Sequence, residues 1–420
     1  MDTLVNVTMK NAGKTSISSP PLKVCMHVLT TGRTDNRVLR EAAALVEAGY
    51  DVSIVDVEPE HNRPTIEDFQ GIQLKHIVNP AWFTRSRFKP LFFVKMGWMI
   101  FRAALLMLRT PADIYHAHDE NALPACYFVA RLRRKPLIFD AHELPLENNP
   151  NFTRWRRLTA LAKRLLAAAL PYCAGIITTS SPYAQAIQEQ YHRSDITLVR
   201  NFPVYQAVKK SDRLRKHLGI HHQVRIALYQ GYLQPSRGLD RLVQAASFLK
   251  PDIVIIMMGP DQDNTKGQLE ALSIEKGVAD RIKIIPAVPY EELLDWTASA
   301  DVGLNILATE YSLSIQKSLP NKLFEYLMAG LPVLTSQLDA VTELIKPLDV
   351  GRIVPSFEPE TISSTINEIL ADNDALMRMH RNALEAARKE LNWEKEKEQL
   401  ITLYSRVFGR QNQEQVKRLL

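Results

Sequence analysis

The chain has 420 residues, 46% of them hydrophobic, and a formal net charge of +6 with a pI near 9.0. That length favours two domains over one, and the apolar share is enough for real cores. The mild positive balance suits an anionic small substrate or an anionic lipid surface. No compact Lys/Arg run with interleaved aromatics points to a nucleic-acid partner.

Residues 1–20 read as a loose polar arm with no secretory pattern. A short apolar run over 23–29 predicts a buried strand, followed by a turn containing Gly32. A helix over 36–48 and a strand over 51–57 complete a β-α-β unit. The lone Gly32 is no dinucleotide fingerprint. Residues 90–109 are apolar enough to resemble a membrane span. Lys95 and Arg102 lie inside it, however, and each costs about 2.5–3.5 kcal/mol at a bilayer centre, so a buried or interfacial helix is expected.

A strand over 113–119 and a helix over 120–133 follow. The next strand, 136–139, ends in Asp140-Ala141-His142-Glu143. His118 and His142 thus close neighbouring strands at one rim, an arrangement suited to a polar ligand. Without an H-E-x-x-H helix or accompanying cysteines, no metal is expected there. A basic amphipathic helix over 154–170 reads as a solvated face, with an interfacial membrane contact as the alternative. Strands over 175–179 and 196–199 end the first half, and the polar stretch 204–222 reads as a linker. Cys25, Cys126 and Cys173 sit in apolar settings without C-x-x-C spacing, as expected of reduced, cytoplasmic thiols.

The second half repeats the logic. Strands are expected over 225–230, 253–258, 281–285, 301–307 and 350–354, with a loop from Gly231 to Gly238 after the first. A helix is expected over 291–299. Residues 318–336 read as loop, helix, stop and buried strand. Ser318 is the candidate cap, Pro320 the first-turn residue and Gly330 the left-handed stop. Asn321, Lys322 and Glu325 share one side of this helix, opposite its apolar side. Helices are expected over 360–390 and 393–408, and a polar tail over 411–420. Two doubly wound α/β domains would face each other across a cleft lined by strand carboxyl ends.

The motifs His118-Asp119, Asp140-Ala141-His142-Glu143, Gly231 with Arg237-Gly238, and Pro320-Asn321-Lys322-Leu323-Phe324-Glu325-Tyr326 resemble those of the retaining family 4 (group 1) glycosyltransferases. The resemblance runs from about Lys23 to Phe408. It implies the GT-B fold, two Rossmann-like domains. The domains would be an acceptor-binding domain over 21–203, a nucleotide-sugar-binding domain over 204–390 and a helix over 391–410 returning to the first. It further implies a retaining hexosyltransferase needing no metal or other cofactor. His118, Arg237 and Lys322 would be catalytic; Gly32, Gly231, Asn321 and Glu325 would bind the donor; His142 and Glu143 would lie on the acceptor side. A saccharide or lipid-linked acceptor, cell-surface polysaccharide or glycolipid synthesis, and a cytoplasmic location with peripheral attachment to an anionic membrane face are the expectations. Two positions depart from the family: Lys317 replaces the first Glu of a Glu-x7-Glu pair, and Tyr232 the usual loop Arg. A sugar-nucleotide epimerase of the same fold, or a non-catalytic nucleotide-sugar-binding protein, are the alternatives.

Overall fold

Short apolar runs bounded by turn residues form strands buried on both faces, and the amphipathic segments between them become covering helices. In the computed structural model, which describes residues 20–58, 64–78, 89–143, 156–307 and 313–419, they make two sheets. The first contains β1 (Lys23–His27), β2 (Asp51–Glu58), β3 (Ile66–Phe69), β4 (Ile72–Val78), β5 (Ile114–His118), β6 (Leu137–Ala141), β7 (Cys173–Thr178) and β8 (Ile196–Leu198). Its order is β3-β4-β2-β1-β5-β6-β7-β8, parallel except where β3 runs antiparallel to β4. The second contains β9 (Arg225–Gln230), β10 (Ile253–Met258), β11 (Ile282–Ile285), β12 (Val302–Asn305), β13 (Val333–Ser336) and β14 (Gly351–Val354). Its order is β11-β10-β9-β12-β13-β14, parallel throughout.

Each sheet reverses its winding once, at β1/β5 and at β9/β12. Chain segments diverge there and leave a crevice at the strand carboxyl ends. Gly32 lies in the turn after β1 and His118 ends β5 at the first switch point, and Gly231 follows β9 at the second.

Helix Asn36–Glu47 and the final helix Trp393–Leu419 cover one face of the first sheet, packing Val38, Leu45, Leu400, Leu403 and Tyr404 on Val24, Met26 and Ile138. Helices Lys89–Leu108, Asp119–Arg133 and Arg156–Ala169 cover the other. The final helix therefore crosses from the second domain to the first. Its start is tied down by Trp393 N–H to Pro203 O at 2.9 Å and by Arg200 to Glu396 at 2.8 Å.

Several local expectations change. Between the second predicted strand and the 90–109 helix, where no element is predicted, Ile66–Phe69 and Ile72–Val78 form the β3–β4 hairpin. The linker contains a short helix, Arg213–Leu218. Pro320, not Ser318, is the N-cap of helix Asn321–Met328; the Ser318 hydroxyl turns back to Ile315 O at 3.0 Å. The final helix runs to Leu419, so 411–419 continue it rather than forming a separate tail. Residues 1–19 and 144–155 lie outside the described residues. All three cysteines are free and buried.

Candidate functional site

On the first domain's side, the site is a chain of buried charges. Arg37, from helix Asn36–Glu47, grips both oxygens of Asp140 at 2.8 Å, sends a third bond to Val199 O at 2.8 Å and lies 3.1 Å from Glu41. Asp140 is the penultimate residue of β6, and its Oδ2 also meets His118 Nδ1 at 3.3 Å and His142 Nε2 at 3.0 Å. The other nitrogen of His142 meets Asp119 Oδ2 at 3.1 Å, and its backbone N–H reaches Asp119 Oδ1 at 3.2 Å. Asp119 holds a left-handed φ of 65°, a strained conformation for a residue with a Cβ, and these two bonds tie it there. Behind them, His116 stacks on His118 with centroids 4.2 Å apart and bonds the final helix through Tyr404 Oη at 2.8 Å.

The electrostatics follow from this pairing. Burial works against the charge of Asp140, but Arg37 and His142 hold its pKa well below the carboxylate range. Burial also opposes charge on His142, and Asp140 and Asp119 overcome it, keeping the imidazolium. His118 is pushed down by burial, which outweighs the Asp140 bond, and is neutral. Burial, reinforced by Asp140, pushes Glu41 up. One ligand atom from each of Glu41, His116, His118 and Asp140 can gather within 4.8 Å, a set that could hold a metal ion. The Arg37 guanidinium, however, already ion-pairs with both carboxylates, which disfavours a second cation.

The Gly32 loop meets its own anchor. Its N–H donates to Asp56 Oδ2 at 2.7 Å, so that donor is already used within the domain. Glu143 is exposed beside His142. Ser180, the N-cap of helix Ser181–Tyr191, donates to Lys317 O at 2.6 Å, and Tyr183 Oη meets Ser314 Oγ at 2.7 Å. The backbone at the departing Lys317 is thereby held against the first domain.

On the second domain's side the pattern differs. Helix Asn321–Met328 is pinned to the sheet by Tyr326, whose hydroxyl accepts Gln230 N–H at 2.9 Å and donates toward Leu228 O at 3.1 Å. Glu325 accepts from Gln230 Nε2, while Gln230 Oε1 takes the Thr297 hydroxyl at 2.8 Å. Burial raises the Glu325 pKa against the pull of Gln230 and Lys322. Lys322 Nζ lies 3.8 Å above the Tyr229 ring and has no hydrogen-bond partner among the described residues. Burial, then the Arg237 charge, push its pKa down to about 7, with Glu325 opposing. Gly231 stands against it at φ 129°, where a Cβ would be 3.6 Å from the Lys322 Nζ. Only glycine takes that conformation readily, and it leaves the space open. Arg237 closes the 3-10 turn Pro235–Arg237, and its side chain makes no hydrogen bond or ion pair among the described residues. Asn321 is exposed at the helix start.

The structure thus unites His118 with His142, and Lys322 with Glu325, Gly231 and the charge of Arg237. Sequence reasoning missed Arg37, Glu41, His116, Gln230 and Thr297. The one available signal was Arg37 and Glu41 at i, i+4 on the apolar face of their helix.

A family model of "Glycosyltransferase Family 4" matches residues 35–202, and one of "Glycosyl transferases group 1" matches 210–389. The chain belongs to the group 1, family 4 glycosyltransferases. The D-inositol 3-phosphate glycosyltransferase of Corynebacterium efficiens is 25% identical over 308 residues, 70% of this chain and 71% of that protein. Among solved structures, sucrose-phosphate synthase from Thermosynechococcus elongatus superposes with a TM-score of 0.71 at 16% identity, covering 92% of this chain and 99% of the other. Anabaena HepE in complex with UDP-glucose gives 0.68 at 16% identity, covering 91% and 99%. These structures share the GT-B fold. This glycosyltransferase therefore has the two-domain architecture its motifs imply, and the relatives do not favour the epimerase or the non-catalytic alternative.

Proposed function

We propose that this glycosyltransferase moves a sugar, with retention and without a metal, from a nucleotide-sugar to an acceptor hydroxyl in cell-surface polysaccharide or glycolipid synthesis. The observation that carries the reading is the pair Lys322 and Arg237 beside the Gly231 loop, cations that make no ion pair among the described residues, with Lys322 Nζ lacking a hydrogen bond as well. A donor diphosphate is the ligand they lack. Arg237 grips phosphate oxygens with a planar fork, and Lys322 acts as a point charge. As the bond from the anomeric carbon to phosphate oxygen breaks, charge grows on the diphosphate and the fixed cations stabilise it. The acceptor oxygen attacks the same face, and its proton passes to the departing phosphate oxygen. Glu325 accepts the ribose hydroxyls.

His118 Nδ1 is engaged by Asp140 at 3.3 Å and by His142 Nε2 at 3.2 Å, which leaves Nε2, buried and without a hydrogen-bond partner among the described residues, to face a hydroxyl of the transferred sugar. His142 and Glu143 stand on the acceptor side. The acceptor is a saccharide or a lipid-linked saccharide, and the site works on the cytoplasmic side of the membrane. UDP-glucose, seen with Anabaena HepE, is the first donor to try. The test is thermal melting of the purified protein with a panel of nucleotide-sugars, followed by turnover and NMR of the product anomer. A stabilising donor and a product retaining the donor's anomeric configuration are expected. Sugar inversion at another carbon without any acceptor would replace this reading with an epimerase.

A further inference from the structure

We infer that the outer face of the first domain is a docking surface for an anionic lipid bilayer. Helix Lys89–Leu108 leaves Val94, Trp98, Phe101 and Leu105 exposed at 63%, 44%, 58% and 39%. Their spacing of four, three and four residues puts them on one side, and Trp98 and Phe101 lie with ring centroids 5.9 Å apart. The opposite side, with Ala103, Ala104 and Met107, fills the core. The helix packs on Asp119–Arg133, which exposes Phe128 and Leu132, and that helix packs on Arg156–Ala169, which exposes Leu165. An apolar surface of this extent on a folded domain calls for an occupant.

Charge identifies the occupant. Neither Lys89–Leu108 nor Arg156–Ala169 contains an acidic residue. Arg109, Arg131, Arg133, Arg134, Lys163 and Arg164 are exposed on or beside these helices. The acids of the middle helix, Asp119 and Glu120, sit in its first turn, at the cleft end. A face of aromatic and aliphatic side chains ringed by cations suits lipid tails beneath anionic headgroups. No helix among the described residues is long and apolar enough to cross a membrane, so the surface lies on the bilayer. All three helices start at the cleft rim of the first sheet, which would bring the acceptor side of the cleft to the lipid. The inference extends the proposed function but does not depend on turnover, because vesicle binding and glycosyl transfer are measured separately.

The experiment is sedimentation of the full chain with vesicles of phosphatidylcholine alone and of phosphatidylcholine mixed with phosphatidylglycerol. Wild type is expected to pellet with the mixed vesicles at low salt and to be released as salt rises. Trp98→Glu with Phe101→Glu should lower partitioning by about tenfold or more, with thermal melting unchanged. Lys163→Ala and Arg164→Ala should each lower it roughly fivefold. Equal pelleting with both vesicle types, or no loss in the Trp98/Phe101 variant, would overturn the inference. So would a soluble dimer that the same variant dissociates, because the apolar face would then be covered by a second copy.

Discussion

The two sides of the cleft treat buried charge in opposite ways. In the first domain, Arg37, Asp140, His142 and Asp119 satisfy one another within 2.8–3.1 Å before any ligand arrives. In the second, among the described residues, Lys322 Nζ is buried over Tyr229 with no hydrogen bond, and Arg237 sits nearby without an ion pair. A buried ion is costly unless paired, so the first arrangement is complete as folded and the second is completed by its ligand. The contrast separates a positioning frame, which fixes His118, from the element proposed above to bind the donor phosphates.

Breaking the frame should have the largest effect. Asp140→Ala strands the Arg37 and His142 charges, and loss of one partner in a buried pair costs about 3–5 kcal/mol. Urea denaturation should show that loss of stability. A change below about 1 kcal/mol would mean the network behaves like a surface pair. Breaking the binding element should leave folding intact and reduce turnover. Arg237→Ala and Lys322→Ala should each lower kcat about 100–1000-fold. The double variant should lose less than the product of the two, since both act on one leaving group. Near-normal kcat in Lys322→Ala would leave the phosphate to Arg237 and backbone N–H groups.

Glu325→Ala sharpens the comparison on the nucleotide. Loss of a charged hydrogen bond contributing about 1.5–3 kcal/mol should weaken donor affinity by at least tenfold. Unchanged affinity by calorimetry would remove Glu325 from the ribose. The smallest effect concerns Lys322 itself in the donor-free protein. Its folded pKa, about 7, lies below that of an unfolded lysine, so the unfolded chain binds the proton more tightly. The charged lysine therefore costs stability below that pH, and the cost is relieved as pH rises toward the ordinary lysine range. Lys322→Met should stabilise the protein by on the order of 1 kcal/mol at about pH 6 and by less at about pH 9. A gain that does not change with pH would contradict a strained cation.

Much of this was legible in sequence because strands buried on both faces and Gly-stopped helices leave strong patterns. β9 and β10 and the helix at 321–328 fall where their apolar runs place them. Motif positions also singled out His118, Lys322 and Glu325 as candidates. The β3–β4 hairpin was not legible: Ile66–Phe69 is a half-exposed edge strand of four residues, IEDF, with two acids. The charge frame was hidden for another reason. Arg37 and Glu41 fall on the apolar face of an amphipathic helix, but only the fold brings Asp140, 103 residues from Arg37, to meet them. Pro320 displaced Ser318 as cap because the Ser318 hydroxyl satisfies the end of the preceding helix instead.

On the proposed reading Lys322, its pKa lowered to about 7 by burial and the Arg237 charge, gains a proton as the donor's diphosphate binds. Calorimetry of nucleotide-sugar binding at about pH 7, in buffers of differing ionisation enthalpy, reads the protons taken up on binding. An intact donor such as UDP-glucose serves as probe, because its diphosphate does not titrate there. The account predicts uptake of a fraction of a proton by wild type, and none by Lys322→Arg, whose guanidinium is already charged. Binding by wild type with no proton uptake would contradict it, and equal uptake by Lys322→Arg would assign the proton to another group.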